Sequence, residues 1–373
     1  MDLIRIFNFH LTFFRIFGIC IQTPGMSRRT KILACSSAII SVIFVSILFP
    51  ISYIVIKPTK ANAFINFIQG VGLMSIHLAT SIETLFTRNQ QIRFWNCLKK
   101  IEKLYPHNFE EIQNKYQALK RTTEKNFWIF VITSIIIEVV FSYFMFSSND
   151  LKADWLKNAA IAWAMYIISV LIGRIRYLSH FFVVGILKIH LELFNNSILS
   201  LKRNLRLTQT DQIVHELNRI KFRHNFIWEM SMNINICHQW SQFINVLVNF
   251  LQITSLCYYI YYFIVNNSFI RIIPLSVCYT LLIWNIYTLA KLGDDVQKAG
   301  IKSATLLHEI LKINQDHLEN KFLNNCIVNL SLQIHHEKII VTFGKIFTLN
   351  NGFLAKLTAT IATYIVILIQ ILV

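Results

Sequence analysis

Five side chains near the C-terminus have types and spacing that could line a path for ions. Lys356, Thr360, Thr363, Ile367 and Gln370 recur at intervals of four, three, four and three residues, which places them on one face of a helix. We call these five residues the C-terminal stripe. Hydroxyl and amide groups that face water can replace part of an ion's hydration shell. The pattern therefore predicts a helix whose copies surround an aqueous pore.

The same stripe also has a purely structural explanation. Gln370 can lie at the external membrane interface, because an amide in hydrocarbon is costly unless it meets water or a polar partner. The threonine hydroxyls can bond to carbonyls of their own helix instead of facing a pore. The spacing alone leaves both interpretations open.

No other residues in the sequence have the spacing of a catalytic or metal centre. The seven cysteines form no CxxC pair and have no spacing suited to zinc. His335 and His336 are adjacent, so they do not share a helix face. No nucleophile has a base at reachable spacing. The sequence therefore predicts neither an enzyme nor a metal or cofactor site.

The composition indicates what kind of element carries the stripe. Of the 373 residues, 54% are apolar and 15% are charged, whereas soluble domains average about a quarter charged. The net charge is +17, but the basic residues lie between long apolar runs. A nucleic-acid-binding protein would gather them on a soluble face among aromatic residues. The sequence predicts an all-α, polytopic membrane protein in contact with lipids, with no nucleic-acid partner.

Seven apolar runs have the roughly 20 residues that a helix needs to cross a bilayer. They are Ile32–Ile56, Ala63–Phe86, Phe127–Ser147, Ala159–Phe182, Phe243–Val265, Phe269–Ala290 and Gly352–Val373. The segments between them hold 28 Lys and Arg on one side and 5 on the other, counting Arg271 at the start of the sixth run. The positive-inside rule therefore predicts a cytoplasmic N-terminus and an external C-terminus.

The long cytoplasmic segments have helical rather than linker patterns. Apolar residues recur every three or four positions over Leu98–Tyr116, Leu187–Ile236 and Leu306–Ile340. We expect these helices to extend the spans into a cytoplasmic bundle. Arg5 and Arg15 interrupt the apolar N-terminal run, which predicts an amphipathic helix at the membrane interface.

Charged residues inside the predicted spans have three expected environments. His77 and Glu83 in the second span should face other helices or lie near its inner end. Glu138 in the third span is a buried ionisable group that can pair with another helix. Arg174 and Arg176, near the inner end of the fourth span, are predicted to extend toward lipid phosphates.

The last span also carries a family motif. Thr363 and Tyr364 are followed by five apolar residues, Ile365–Ile369, and then by Gln370. This arrangement resembles the Thr-Tyr, five hydrophobic residues, Gln-Phe ending of insect gustatory receptors, with Ile371 in place of the final Phe. The segments Leu330–Gln333 and Phe347–Asn350 are similar to the family's approach to that helix, with its glycine displaced to Gly344.

This resemblance implies a ligand-gated, non-selective cation channel in the plasma membrane of sensory neurons. Four subunits, identical or including other gustatory receptors, would place the C-terminal stripe around one pore, with a gate at Gln370 and Ile371. Sugar-binding members often have Glu directly after Thr-Tyr, where this chain has Ile365. The expected tastant is therefore a bitter or plant compound rather than a sugar.

One continuous fold is expected to contain three functional segments. Residues 1–290 form a six-helix ligand-binding bundle with cytoplasmic extensions, 291–351 form a cytoplasmic anchor and assembly segment, and 352–373 form the pore-lining helix. The resemblance implies a ligand pocket in the outer half of the bundle, where aromatic rings and a few amides suit a small organic molecule. The candidates are Gln69, Tyr143, Trp163, Tyr166, Gln252, Tyr259, Tyr262, Tyr279 and Trp284. Their aromatic members can equally form an interfacial belt or ordinary packing.

Two other membrane-protein classes fit the sequence less well than a channel. A transporter of small organic solutes would show internal repeats and Gly- or Pro-broken helices, whereas this chain has only 10 Gly and 5 Pro and no evident symmetry. A G-protein-coupled receptor would have the opposite orientation and a proline in its seventh span. The channel is therefore the favoured interpretation.

Overall fold

The computed structural model shows a chain that is almost entirely helical. It describes residues 6–56, 61–105, 109–146, 153–205, 210–265, 269, 272–317 and 321–372. The helices there are α1 Asn8–Ile16, α2 Arg28–Ile56, α3 Ala61–Phe86, α4 Arg88–Lys103, α5 Phe109–Phe146, α6 Ala153–Asn204, α7 Thr210–Cys237, α8 Gln239–Val265, α9 Ile272–His317, α10 Lys321–His336 and α11 Asn351–Leu372. The all-α prediction is confirmed, apart from a small antiparallel hairpin of β1 (Thr342–Phe343) and β2 (Phe347–Thr348).

The predicted spans lie on the long helices α2, α3, α5, α6, α8, α9 and α11. Within the described ranges, four segments are long and apolar enough to cross a membrane: Arg28–Ile54, Tyr166–Asn204, Gln239–Val265 and Leu275–Ile313. The apolar part of the last helix, Asn351–Ile367, is shorter. These findings agree with a multi-pass membrane protein, whereas the number of seven spans and their orientation stay predictions.

Two helices continue far beyond the thickness of a bilayer. α6 has 52 residues and α9 has 46. At 1.5 Å per residue α6 is about 78 Å long, whereas a hydrocarbon core is about 30 Å thick. The predicted helical extensions of the spans are therefore present, and we call their packed assembly with α1, α4, α7 and α10 the extension bundle.

The main core lies in the extension bundle. Leu187, Leu191 and Phe194 of α6 are fully buried in a cluster that α4, α7, α9 and α10 complete. α1 buries one face in the same cluster, and Phe7, which precedes α1, packs 4.7 Å from Phe182 between ring centroids. In contrast, the most apolar windows of α2, α8 and α9 are only 22% buried. Such apolar surface requires lipid or a protein partner.

Candidate functional site

The last helix, α11, packs against its own subunit along one side. The contacting side chains of α11 are Phe353, Leu354, Leu357 and Ile361. They meet a cluster centred on Ile253 of α8 and Ile286 of α9. Further along, the ring of Tyr364 lies edge to face with Phe250 at 5.4 Å between centroids. These contacts fix the rotation of α11 about its axis and so decide which residues point away from the subunit.

The C-terminal stripe lies on a different side of α11, and all five of its side chains are exposed. At about 100° per residue, the stripe is centred about 115° from the packed side. The structure thus brings the predicted pore-lining residues together on one uncovered face of a single helix. The side chain of Ile371, the second predicted gate residue, lies outside the described residues.

The threonines of α11 bond to their own backbone, as the structural explanation expects. Thr360 donates to the carbonyl of Lys356 at 2.8 Å, and Thr363 donates to that of Ala359 at 3.0 Å. Each bond uses the hydroxyl proton and leaves a lone pair on the oxygen. That lone pair can coordinate a cation, so backbone bonding and a pore-facing role are compatible for these residues.

Asn350 fixes the beginning of the last helix. Its side-chain oxygen accepts the backbone N–H of Phe353 at 3.0 Å, which makes it the N-cap of α11. Its amide nitrogen donates to Gln297 of α9 at 3.1 Å. The carbonyl of the neighbouring Leu349 lies so close to Gly293 of α9 that a Cβ there would collide with it. The family segment before the helix therefore anchors α11 to α9.

The β-hairpin packs against the first turn of the same helix. Gly344 and Lys345 have φ values of 56° and 60°, so the reversal uses left-handed backbone that glycine adopts most easily. Phe343 is buried, and its ring lies 6.2 Å from that of Phe353 in α11. Phe347 lies 5.7 Å from the same ring. Gly344 therefore serves the hairpin turn rather than the start of the helix.

Two of the ligand candidates lie where α3 meets α6. The ring of Tyr166 packs against Gly70 so closely that a Cβ at that position would collide with it. The sequence neighbour Gln69 is half-buried. The absence of a side chain at Gly70 therefore creates the space that Tyr166 occupies.

The remaining described candidates lie on α8 and α9. Tyr279 joins the apolar cluster that α11 contacts, so it links the bundle to the last helix. Gln252 and Tyr259 are half-buried. Trp284 is 58% exposed, and its ring lies 6.2 Å from that of Tyr287 on the surface of α9. The side chains of three further candidates lie outside the described residues: Tyr143, Trp163 and Tyr262.

A buried ion pair joins α3 and α6 beside the junction of α7 and α8. Arg176 Nη2 lies 2.9 Å from Glu83 Oε2, and the two side chains are 2% and 4% exposed. The prediction that Arg176 extends toward lipid phosphates is therefore wrong, because its guanidinium finds its partners inside the protein. Arg174 also binds protein and donates to Ser134 of α5. The expectation that Glu83 faces another helix is confirmed.

The same ion pair caps both helices that meet at His238. Glu83 accepts the first-turn N–H groups of α8, from Trp240 at 2.6 Å and Ser241 at 3.2 Å. Arg176 donates to the carbonyl of Cys237, the last residue of α7. A carboxylate at a helix N-terminus and a cation at a C-terminus both interact favourably with the helix dipole. We call this arrangement the junction staple. Opposite charges within two apolar spans were the sequence signal for it.

Two cavities flank the junction staple. The first has a volume of about 40 Å³, room for about three water molecules, and includes Arg176, Gln91 and Asn233 among its lining residues. The second is a groove of about 550 Å³ between α3 and α8, beside Glu83 and Trp240. Its size and mainly apolar walls suit a small organic molecule. Neither cavity is lined by the ligand candidates from the sequence.

Two histidines of the extension bundle are neutral at pH 7. The ring of His190 bonds with the hydroxyl of Tyr116, and burial lowers the pKa of His190 to about 3. His224 Nδ1 lies 3.3 Å from Glu337 Oε2. Burial lowers the pKa of His224 to about 4, although the Glu337 carboxylate acts in the opposite direction.

Sequence comparison decides the family. The chain matches the family described as 7tm chemosensory receptor over residues 7–371. The chain belongs to this family. The resemblance to insect gustatory receptors is thereby confirmed, and the receptor is not an enzyme.

Individual relatives of the receptor agree with this assignment. It is 21% identical over 339 residues to "Putative gustatory receptor 2a" of Drosophila melanogaster, covering 82% of this chain and 77% of that one. It is 26% identical over 172 residues to gustatory receptor 23a of the same species, covering 43% and 42%.

Two solved structures have the same fold as the receptor. The insect olfactory receptor OR5 from Machilis hrabei matches over the full length of both chains with a TM-score of 0.72 at 15% identity. The structure of OR5 in complex with eugenol also matches over the full length of both chains, with a TM-score of 0.62 at 14% identity.

Proposed function

We propose that this receptor is a ligand-gated, non-selective cation channel for tastants in the plasma membrane of sensory neurons. One observation carries the proposal: α11 is packed along one side, while its C-terminal stripe is exposed on another. Four copies, identical or combined with other gustatory receptors, would enclose that stripe around a central pore. Gln370 and Ile371 then form the narrow gate near the external end.

Exposed apolar side chains support an assembly role for residues 291–351. Ile301, Phe322, Leu332 and Ile346 are each more than half exposed. They lie on α9, α10 and the hairpin, outside the predicted spans, where lipid tails cannot cover them. Their exposure suits contacts with a second subunit. We therefore assign this segment to subunit contacts, residues 352–373 to the pore, and residues 1–290 to ligand binding.

The proposed topology has seven spans, a cytoplasmic N-terminus and an external C-terminus. Its support is the excess of Lys and Arg in alternate connecting segments, 28 against 5. Epitope tags at the two ends test it directly. We expect antibodies on intact cells to reach only the C-terminal tag. Labelling of the N-terminal tag, with the C-terminal tag protected, would show the opposite orientation.

The ligand is proposed to be a bitter or plant compound that binds within residues 1–290. Tyr166 and Gln69 between α3 and α6, and Tyr279 beside the last helix, are the described candidates best placed to contact it. Tyr279 belongs to the cluster that holds α11. A ligand that moves Tyr279 can therefore change the position of the pore helix.

Expression in cells that lack chemoreceptors tests the function. We expect plant compounds to evoke currents carried by several monovalent cations, whereas sugars evoke none. Solute uptake without ionic currents would instead support the transporter interpretation. Currents evoked by sugars alone would contradict the assignment of ligand class but leave the channel intact.

Gln370→Ala tests the pore assignment itself. Four amides in a narrow ring set the width and polarity that permeating ions encounter, so their loss should change ion selectivity or raise the basal current. Ile365→Val, a change away from the stripe, is the matched control and should leave both unchanged. If Gln370→Ala reaches the cell surface with unaltered conductance, selectivity and closed-state leak, the stripe does not line the pore.

A further inference from the structure

Two cysteine thiols meet between the N-terminal segment and α2. Cys20 lies in the loop after α1, and Cys35 lies in the second turn of α2. Their sulfur atoms are 3.6 Å apart, within van der Waals contact. A disulfide requires a separation of about 2.0 Å, so the sulfurs need to approach by about 1.6 Å. This is a side-chain rotation combined with a small movement of the loop.

The loop that carries Cys20 is held in place by bonds on both sides of it. Arg15 Nε, at the end of α1, donates to the carbonyl of Ile21 at 3.0 Å. The backbone N–H of Gln22 donates to the side-chain oxygen of Gln91 in α4 at 2.9 Å. These contacts keep Cys20 opposite Cys35, and the thiols therefore face each other without any rearrangement of the helices.

The two sulfurs have different surroundings. Cys35 is half-buried and accepts N–H groups from Gln22 Nε2 at 3.6 Å and Arg88 Nη1 at 3.7 Å. A peroxide can reach this partly exposed sulfur. Cys20 is fully buried beside Ala34 and Ala38, and this burial raises the pKa of its thiol to about 12. Cys35, the more accessible sulfur, thus reacts first, and Cys20 reacts second.

We propose that Cys20 and Cys35 form a reversible disulfide when the receptor meets a peroxide. The Cys35 thiolate attacks one peroxide oxygen, the O–O bond breaks, and the departing hydroxide takes a proton to become water. The resulting sulfenic acid is attacked by the Cys20 sulfur, the S–O bond breaks, and the hydroxyl leaves as a second water with the Cys20 proton. Two thiols lose two electrons, and one hydrogen peroxide gains them.

The new bond would tie α1 to α2. α1 is packed in the core of the extension bundle through Phe7, Leu11 and Phe14, whereas α2 contributes little to that core. The disulfide adds a covalent link at a place where non-covalent packing is limited to a small cluster around Cys20. A dithiol reductant returns both thiols by disulfide exchange.

A full-length variant that keeps only this cysteine pair tests the proposal. The other five cysteines are replaced by Ser: Cys97, Cys237, Cys257, Cys278 and Cys326. After denaturation, a maleimide carrying polyethylene glycol counts the free thiols on a gel. We expect two maleimide adducts on each chain without oxidant, none after hydrogen peroxide, and two again after dithiothreitol.

Single variants of this chain assign the order of attack. With Cys20→Ser, dimedone should trap a sulfenic acid on Cys35 after peroxide. With Cys35→Ser, dimedone should not label Cys20, which serves as the matched control. A loss of adducts that dithiothreitol cannot reverse would overturn the proposal, as would a reversible dimer linked between two chains.

Mass spectrometry of the unmodified chain provides a second measurement that does not depend on substitutions. Peroxide-treated protein is alkylated and digested, and peptides joined by a disulfide are identified. A Cys20–Cys35 cross-linked peptide is the expected product. Recovery of both residues in alkylated form, at a peroxide concentration that oxidises the exposed methionines of the chain, would refute the pairing.

Discussion

Removing Glu83 should destabilise the receptor strongly, because it leaves the Arg176 guanidinium buried without a counter-ion. The side chain of Arg176 is 2% exposed, and its other partners, the Ser241 hydroxyl and the Cys237 carbonyl, are uncharged. Breaking a buried ion pair from one side costs about 3 to 5 kcal/mol. In Glu83→Gln the first turn of α8 also loses an anionic cap, which adds to the cost.

The expected change in melting temperature follows from this free energy. An unfolding entropy of about 2.1 cal/mol/K per residue gives this 373-residue chain a shift of about 1.3 °C for each kcal/mol. Glu83→Gln should therefore lower the Tm of the detergent-solubilised receptor by about 4 to 6 °C. Thermal scans followed by fluorescence-detected size exclusion measure the shift.

Arg176→Met should cost less than Glu83→Gln. Without the guanidinium, Glu83 keeps its bonds from the backbone of Trp240 and Ser241 and its favourable position at the N-terminus of α8. The double variant Glu83→Gln with Arg176→Met removes both charges. We expect its loss of unfolding free energy to be smaller than the summed losses of the two single variants by about 2 kcal/mol or more, because mutations of residues in contact are not additive.

An exposed ion pair is the matched control. Lys202 of α6 lies 2.7 Å from Glu309 of α9, but the two side chains are 33% and 44% exposed. Such pairs contribute about 0 to 1 kcal/mol, so Lys202→Met should change the Tm by about 2 °C at most. A Tm shift in Glu83→Gln no larger than that in Lys202→Met would show that the buried pair contributes no more than an exposed one. A loss of unfolding free energy in the double variant equal to the sum of the two single losses would show that the two residues are not coupled.

Two further predictions concern the start of α11 and the extension bundle. Asn350→Ala removes the N-cap of α11, at a cost of about 1 kcal/mol, and should reduce the channel current at equal surface expression. Asn350→Asp keeps the capping oxygen and should therefore retain more of the current than Asn350→Ala. The protein should also lose stability as the pH falls below 6.5, because the pKa of His190 is about 3 in the folded state and the unfolded state binds the proton first. The loss amounts to about 1.4 kcal/mol per pH unit for each such histidine, and Tm measured from pH 7.5 to 5 should show a shallower slope in His190→Gln. Equal slopes in the two proteins would contradict this account.

The sequence determined the features that depend on local chemistry. A helix in hydrocarbon satisfies its backbone bonds within one segment, so apolar runs predict membrane helices without reference to distant residues. The C-terminal stripe follows from the helical period, and the Thr363 to Gln370 motif identified the family. For the same reason, the helical continuation through Leu187 and Leu306 was correctly predicted from apolar spacing.

The tertiary structure decided what depends on partners far apart in the chain. Glu83 and Arg176 were visible as charges in apolar spans, but only the packing of α3 against α6 brings them to 2.9 Å and places them at the junction of α7 and α8. The contact of Cys20 with Cys35 depends in the same way on how the loop after α1 folds back onto α2. The spacing of side chains defines a face of a helix. Whether that face is covered, and by which helix, depends on the packing of the whole bundle.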